Sequence, residues 1–328
     1  MKVLITGGTG FIGSRLALRC IERGHSVKVL GQENTPAEAQ NKQLVEEKGG
    51  KVIVGSVTDP NKLLDALTDT DVVYHLAAAQ HEMNVPDQKF RDVNVNGTKS
   101  ILEACLSAGV RRFVHGSTIG VYGPLEGTID EKSPCNPDNI YGVTKLEGEK
   151  VAASYGERLP VVLIRIPEVY GPGDRRLLKL FKAIKKGAFI NIGSGRNLHH
   201  PIYIDDLIDG LFLATDREQA RGEVFLFAGT EPVTTGQMVA TIADQLRAPI
   251  PRWGLPLFPI LVLATLVEQT FRPLGIQPPL HRRRMDFFRK SFVLSSEKAH
   301  AVLGFDPKVT FKQGVLQTAE WYKQQGYL

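Results

Sequence analysis

A tyrosine and a lysine four residues apart, in Tyr141-Gly-Val-Thr-Lys145, are the residues of this sequence best suited to moving a proton. If the segment is helical, positions four apart share a face and the ammonium lies beside the phenol. A free phenol ionises near pH 10 and is no base at neutral pH. One positive charge ~4 Å away at an effective dielectric of ~20 is worth ~4 kcal/mol, which brings that ionisation down to about pH 7. There the phenol exchanges protons in both directions. Alone, the spacing also occurs by chance on exposed helices, so the pair needs partners. One stands upstream, where the run Arg111-Arg-Phe-Val-His-Gly-Ser-Thr118 ends in hydroxyl residues.

A second set could bind phosphate. The turn Thr6-Gly7-Gly8-Thr9-Gly10-Phe11-Ile12-Gly13 follows an apolar run and precedes a helical stretch, 14–23. Side chains at its glycines would hold the backbone away from a pyrophosphate, and the helix behind it offers free N–H groups and a positive dipole end. Strand, turn and helix in that order mark a dinucleotide site, with Gly7, Gly10, Phe11, Ile12 and Gly13 against the cofactor. An acid ending the second strand would bind the ribose hydroxyls of NAD, and an arginine the extra phosphate of NADP. Gly31 and Gln32 stand there and supply neither, with Glu33 next, so both NAD and NADP remain open.

The elements that must position these groups follow from apolar patterning. Near-continuous apolar runs at 2–6, 26–30, 51–54, 71–75, 111–115 and 161–165 alternate with helical stretches. Such runs suit parallel strands covered on both faces. The expected fold is α/β, a Rossmann doubly wound parallel sheet with a smaller mixed α/β C-terminal substrate lobe. Residues 1–170, with segments from roughly 200–228 returning to them, would form the NAD(P)-binding domain, and 171–328 mainly the substrate lobe. Helical patterns in the second part fall at 175–186, 205–215, 235–246 and 311–324.

Composition narrows the function classes. A chain of 328 residues, 42% hydrophobic and 23% charged, reads as a soluble globular protein with room for a nucleotide-binding body and one further lobe. The net charge of +5 accommodates an anionic ligand and is too weak for nucleic acid. Cys20, Cys105 and Cys135 have no metal-ligand spacing and cannot all pair, so a reducing cytoplasm and no metal are expected. The N-terminal run enters the glycine turn too soon for a signal peptide. Residues 255–267, LPLFPILVLATLV, are uncharged, yet thirteen residues cannot span a bilayer. They read as a buried helix of the small lobe, with a lid over an apolar substrate or weak membrane-surface contact as alternatives.

Seven motifs in order, TGGTGFIG at 6–13, HLAAA at 75–79, NVNGT at 94–98, STIGVYG at 117–123, YGVTK at 141–145, VYGPGD at 169–174 and HPIYIDDL at 200–207, resemble the extended short-chain dehydrogenase/reductase family, which includes nucleotide-sugar epimerases and dehydratases. The resemblance covers essentially the whole chain. It implies that Thr118, or its neighbour Ser117, hydrogen-bonds the reacting oxygen, that Tyr141 is the acid/base, and that Lys145 also holds the nicotinamide ribose. It further implies that Leu76, Ala77 and Ala78 line the cofactor, that Asn94 contacts it, and that Pro167 lies near the nicotinamide. A homodimer is common among such proteins. Two departures stand out. Ser56, beside Val57, replaces an aspartate that many relatives use for the adenine, and Glu168 replaces an asparagine of many nucleotide-sugar members. A carboxylate there would repel a diphosphate.

Two branches compete for the substrate. The nucleotide-sugar branch carries basic groups in its C-terminal lobe, a role open to Arg282, Arg283 and Arg284, which otherwise form a solvated helix face. The other branch resembles 3β-hydroxysteroid and sterol-4-carboxylate dehydrogenases, sharing the apolar stretch and the closing pattern from Ser291 to Pro307. His81 and His200, with Glu168 and Thr118, are the candidate substrate contacts; His199 shares the position of His200. The expected function is an NAD(P)-dependent oxidoreductase passing hydride at a secondary alcohol or ketone, with a lipophilic, 3β-hydroxysteroid-like small molecule favoured. A nucleotide-sugar 4-epimerase or dehydratase with tightly bound NAD is the alternative. A non-catalytic dinucleotide sensor has no use for the hydroxyl–Tyr–Lys set.

Overall fold

The six apolar runs become parallel strands of one sheet, joined at its edge by a seventh, Val224–Leu226, too short to show in the sequence pattern. The computed structural model describes residues 1–80, 85–250, 254–271 and 282–328. The strand order is Val224–Leu226, Val161–Ile166, Arg112–Thr118, Val72–His75, Lys2–Thr6, Ser26–Gly31, Lys51–Val54. Within a strand, alternate residues enter different cores. Val3 and Ile5 pack on one face with the helices Phe11–Glu22 and Ile204–Asp216, while Leu4 packs on the other with Leu102 and Ala152. That two-sided burial is why the strands read as unbroken apolar runs.

Crossover helices begin where the sequence supplies caps. Thr35 and Glu38 form a capping box ahead of the helix Pro36–Glu47, with Pro36 in its first turn. Thr234 with Gln237 and Thr310 with Gln313 do the same for Thr235–Leu246 and Phe311–Gln324. Among the described residues the C-terminal half builds no large sheet of its own. Short pairings knit it together, with Leu198–His199 antiparallel to Val233–Thr234 and Val293–Leu294 parallel to Thr128–Ile129. Asp206 ties the chain end back by accepting from the backbone N–H groups of Lys308 and Val309 at 3.1 and 3.0 Å.

The apolar stretch forms the helix Leu257–Phe271, and here the expectation of burial fails. Only Ala264 of that helix is buried, and Phe258 is 77% exposed. Nor does any residue of the helix line the main cleft. Among the described residues no helix is long and apolar enough to cross a membrane. Cys20, Cys105 and Cys135 are all free thiols.

Two histidines are sealed inside the sheet. His75 is fully buried between Thr6 and Thr98, its Nδ1 2.8 Å from Thr6 Oγ1 and its Nε2 3.0 Å from Thr98 Oγ1. Burial first, and the charge of Lys145 second, push its pKa down to about 3. His115, paired across the strands with His75, has neither ring nitrogen hydrogen-bonded among the described residues and is pushed down for the same reasons. Below the unfolded value of 6.5 the unfolded chain takes up a proton that folded His75 refuses until about 3, so stability falls as pH drops, by about 2 kcal/mol at pH 5 from His75 alone. His115→Leu removes a buried group without a partner. It is expected to stabilise the protein by roughly 1–3 kcal/mol at pH 7 and to flatten part of the acid slope, as read by urea unfolding at pH 7 and pH 5.

Candidate active site

A cleft of about 400 Å³ runs along the carboxyl ends of the strands and is lined by Gly7, Gly10, Phe11, Ile12 and Gly13 at one part and Thr118, Tyr141 and Lys145 at another. The turn residues fit a pyrophosphate. Gly7 has φ +68, and a side chain there would meet the backbone N of Ala77 at 2.8 Å; one at Gly13 would meet the Gly7 carbonyl at 2.4 Å. The helix Phe11–Glu22 starts at Gly10 with no side-chain cap and no acid in its first turn. Its first N–H groups are therefore left for an anion.

Gly31, Gln32, Ser56 and Val57, the residues expected at a ribose and adenine, all line the cleft. Glu33 is taken up by Lys42 at 2.8 Å. The acid facing the cleft is Glu38, which sequence reasoning missed. Its carboxylate is held by the backbone N–H groups of Asn34 and Thr35, both at 2.9 Å. The signal was legible as the capping box Thr35-Pro-Ala-Glu38; what the sequence did not show is that the cap borders the cleft.

The reacting end sits on the helix Ile140–Ser154. Asn139 caps it by accepting from Gly142 N–H at 3.0 Å, which places Tyr141 in the first turn, where the helix dipole favours a negative phenolate. Gly142 lets that turn press on the Gly120 carbonyl, which a Cβ would approach to 2.5 Å. Lys145, 2% exposed, donates from Nζ to the Gly116 carbonyl at 2.6 Å. Burial lowers its pKa to about 8, with the Glu149 charge pulling the other way. One turn further along the same face, Glu149 pairs with Arg165 at 2.9 Å, both buried. Burial opposes the Arg165 charge, but the hydrogen bonds and charges of Glu149 and Tyr122 outweigh it and raise its pKa.

This buried pair decides between the two hydroxyls. Ser117 Oγ donates to Glu149 Oε1 and is spent. Thr118 Oγ1 accepts from Gly120 N–H at 3.1 Å, which leaves its own proton available to a substrate oxygen. Pro167, Leu76, Ala77 and Ala78 line the cleft as the motifs imply. Asn94 does not. It is 1% exposed, exchanges hydrogen bonds with the Ala79 backbone at 2.9 and 3.1 Å, and donates to Thr144 Oγ1 at 3.0 Å. It braces the loop that follows the strand Val72–His75 against the Tyr141 helix.

The expected substrate contacts separate. His200 spends Nε2 on the Gly229 carbonyl and Nδ1 on Leu294 N–H, each at 3.0 Å, so it pins backbone and has no nitrogen left for substrate. The burial pushing its pKa down suits that neutral role. Its neighbour His199 reaches Glu168 Oε2 through Nδ1 at 3.0 Å and Thr235 Oγ1 through Nε2 at 3.0 Å. Asn197 completes the cluster, its Oδ1 accepting from Thr235 Oγ1 at 2.7 Å and its Nδ2 lying 3.2 Å from His199 Nε2. Desolvation raises the Glu168 pKa, but the hydrogen bond and charge of His199 and the charge of Arg176 outweigh it, and the carboxyl stays below its ordinary range. His81 lies outside the described residues. Arg176, also missed, lines the cleft and donates to Val169 O at 2.6 Å. No group of three or more metal-ligating side chains occurs among the described residues.

Comparison with known proteins matches residues 3–228 to the NAD dependent epimerase/dehydratase family. The chain is similar to the 2-alkyl-3-oxoalkanoate reductase of Stenotrophomonas maltophilia (strain K279a), 27% identical, with 96% of this chain and 97% of that protein covered. It is similar to the 3beta-hydroxysteroid-dehydrogenase/decarboxylase isoform 2 of Arabidopsis thaliana, 28% identical, covering 97% of this chain and 61% of that protein. Among solved structures it is similar to the UDP-glucuronic acid 4-epimerase from Bacillus cereus in complex with NAD, with a TM-score of 0.81, 27% identity and 99% of each chain covered.

The geometry separates the two neighbouring hydroxyls by experiment. Thr118→Ala is expected to lower kcat roughly 10²–10³-fold, as loss of a hydrogen-bond donor to a reacting oxygen does, with Thr118→Ser restoring most of it. Ser117→Ala, which leaves Glu149 short of a partner, is expected to show mainly in thermal stability, measured side by side.

Proposed function

This chain belongs to the NAD dependent epimerase/dehydratase family, and on that premise we propose that it oxidises a secondary alcohol, or reduces the matching ketone, of a lipophilic small molecule with NAD. It is an enzyme of the short-chain dehydrogenase/reductase type. The observation that carries the reading is that Thr118, Tyr141 and Lys145 line the same cleft as the glycine turn. NAD, when bound, accepts or returns the hydride. The uncapped N-terminus of the helix Phe11–Glu22 would hold its pyrophosphate, and Ser56 and Val57 would flank its adenine. Thr118 would donate a hydrogen bond to the substrate oxygen while Tyr141 takes the hydroxyl proton, or returns it in reduction. Lys145 would keep the phenolate charge balanced from its buried position.

Glu38 favours NAD, because a carboxylate bordering the ribose end repels the additional phosphate of NADP. Glu168, between the cleft residues Pro167 and Val169, would favour a substrate without a diphosphate, and the 3beta-hydroxysteroid-dehydrogenase/decarboxylase and the 2-alkyl-3-oxoalkanoate reductase named above fit that preference. A nucleotide-sugar epimerase or dehydratase is the second reading. It draws on the full-length similarity to the UDP-glucuronic acid 4-epimerase and on the Arg176 guanidinium lining the cleft. The working expectation places the enzyme in a reducing cytoplasm as a homodimer.

Tyr141→Phe is expected to lower kcat/KM roughly 10²–10⁴-fold without weakening NAD binding, followed by reduced-nicotinamide absorbance and by thermal shift. Wild type should be stabilised by NAD more than by NADP. Glu38→Gln keeps the cap and removes the charge, so it should narrow that gap. A further thermal shift on the NAD background with 3β-hydroxysteroids, and none with UDP- or dTDP-sugars, supports the lipophilic reading; the reverse pattern replaces it with the nucleotide-sugar one.

A further inference from the structure

We propose that the C-terminal lobe docks on an anionic lipid bilayer through the helix Leu257–Phe271 and the lysine-rich helix Leu178–Lys185, which leads into the strand Asn191–Ile192 paired at the start of the first. The first of these is apolar on both sides. One side packs on the helix Arg282–Arg289. The other carries Phe258, Val262 and Leu266 at intervals of four, with Leu263 beside them, 77%, 45%, 56% and 48% exposed. A helix apolar all round belongs in a core or in lipid, and this one is not in a core. At about 1.5 Å per residue its length is about 22 Å, short of the ~30 Å hydrocarbon core, so it suits lying in the interface and not crossing it.

The charge around it selects the kind of surface. Gly254–Leu255, at the start of the apolar helix, pairs with Asn191–Ile192. Ile190, 53% exposed, and Leu255, 43% exposed, extend the apolar patch across that pairing. The chain leading into it, residues 175–196, has seven basic residues and no acidic one. Among them Lys179, Lys182, Lys185 and Lys186 are exposed on or just after the helix Leu178–Lys185. The segment 175–196 alone exceeds the net charge of the whole chain, +5, so the remainder is net negative. Exposed Phe and Leu flanked by lysines are the pattern of an interfacial helix, the apolar side chains entering the headgroup boundary while ammonium groups meet anionic lipid. A second copy of the chain would have to bring that same concentration of positive charge against itself.

The test uses the full-length protein and sedimentation with vesicles of phosphatidylcholine, alone or with phosphatidylglycerol, at low and high salt. The expected result is binding to the anionic vesicles that weakens with salt. Phe258→Ser combined with Leu263→Ser should reduce it about ten-fold or more. Replacing Lys182, Lys185 and Lys186 by Gln should reduce it roughly a hundred-fold, without touching the apolar face. Thermal unfolding with and without NAD checks that each variant retains its fold and cofactor site. No sedimentation with either vesicle at low salt, or equal binding to neutral and anionic vesicles, overturns the proposal. So does a dimer in sedimentation velocity that Phe258→Ser with Leu263→Ser breaks while vesicles bind nothing, which assigns the face to a second copy.

Discussion

The ion pair between Glu149 and Arg165 is the contact on which the geometry of the reacting end depends. It joins the helix that carries Tyr141 and Lys145 to the strand Val161–Ile166 and, through Ser117, to the neighbouring strand Arg112–Thr118. Arg165 also donates to Tyr122 Oη at 2.9 Å and to the Glu131 carbonyl at 3.2 Å, so each charge is met from several sides. A buried pair of this kind adds little net stability over an apolar replacement, yet losing one partner costs about 3–5 kcal/mol. Its value here is positional. It fixes the depth of the helix, and with it the distance of Lys145 from the sheet.

Lys145 is consequently a charge in a place that disfavours charge. The Gly116 carbonyl accepts its proton and Glu149 lies one turn away, while burial works against it. Burial first, and the Lys145 charge second, depress the two buried histidines, of which His75 serves in hydrogen bonding and His115 in packing. One end of the cleft thus offers unpaired backbone N–H groups to a phosphate, and the other a cation held out of water beside a phenol. Those are the two electrostatic demands of a dinucleotide-dependent proton and hydride transfer.

Much of this was legible beforehand. The six apolar runs became strands because parallel strands buried on both faces need apolar residues at every position, and Val224–Leu226 escaped because three residues carry no periodicity. Thr118, Tyr141, Lys145 and the glycine turn share one cleft, as their motifs imply. Asn94 and His200 misled for one reason: a polar residue within a motif can serve the ligand or the backbone that holds the ligand, and its type is the same either way. Here both are spent on backbone. Glu149 was readable in principle as the third member of a stripe at intervals of four with Tyr141 and Lys145. Its partner Arg165 lies across a crossover and has no local signature.

What the sequence by itself determined is everything carried by short-range spacing: the strand–turn–helix order, the caps, the tyrosine–lysine pair, and the family they mark. Local geometry is encoded locally, because a helix repeats every 3.6 residues and a tight turn needs glycine at fixed offsets. Only the tertiary structure decided which hydroxyl keeps its proton, which of two adjacent histidines meets Glu168, that Glu38 borders the cleft, and that the apolar helix Leu257–Phe271 faces outward. Each of those turns on a partner tens of residues away or more, or on which side of an element is left uncovered. Such relations exist only once the crossovers have closed and packing has assigned every face.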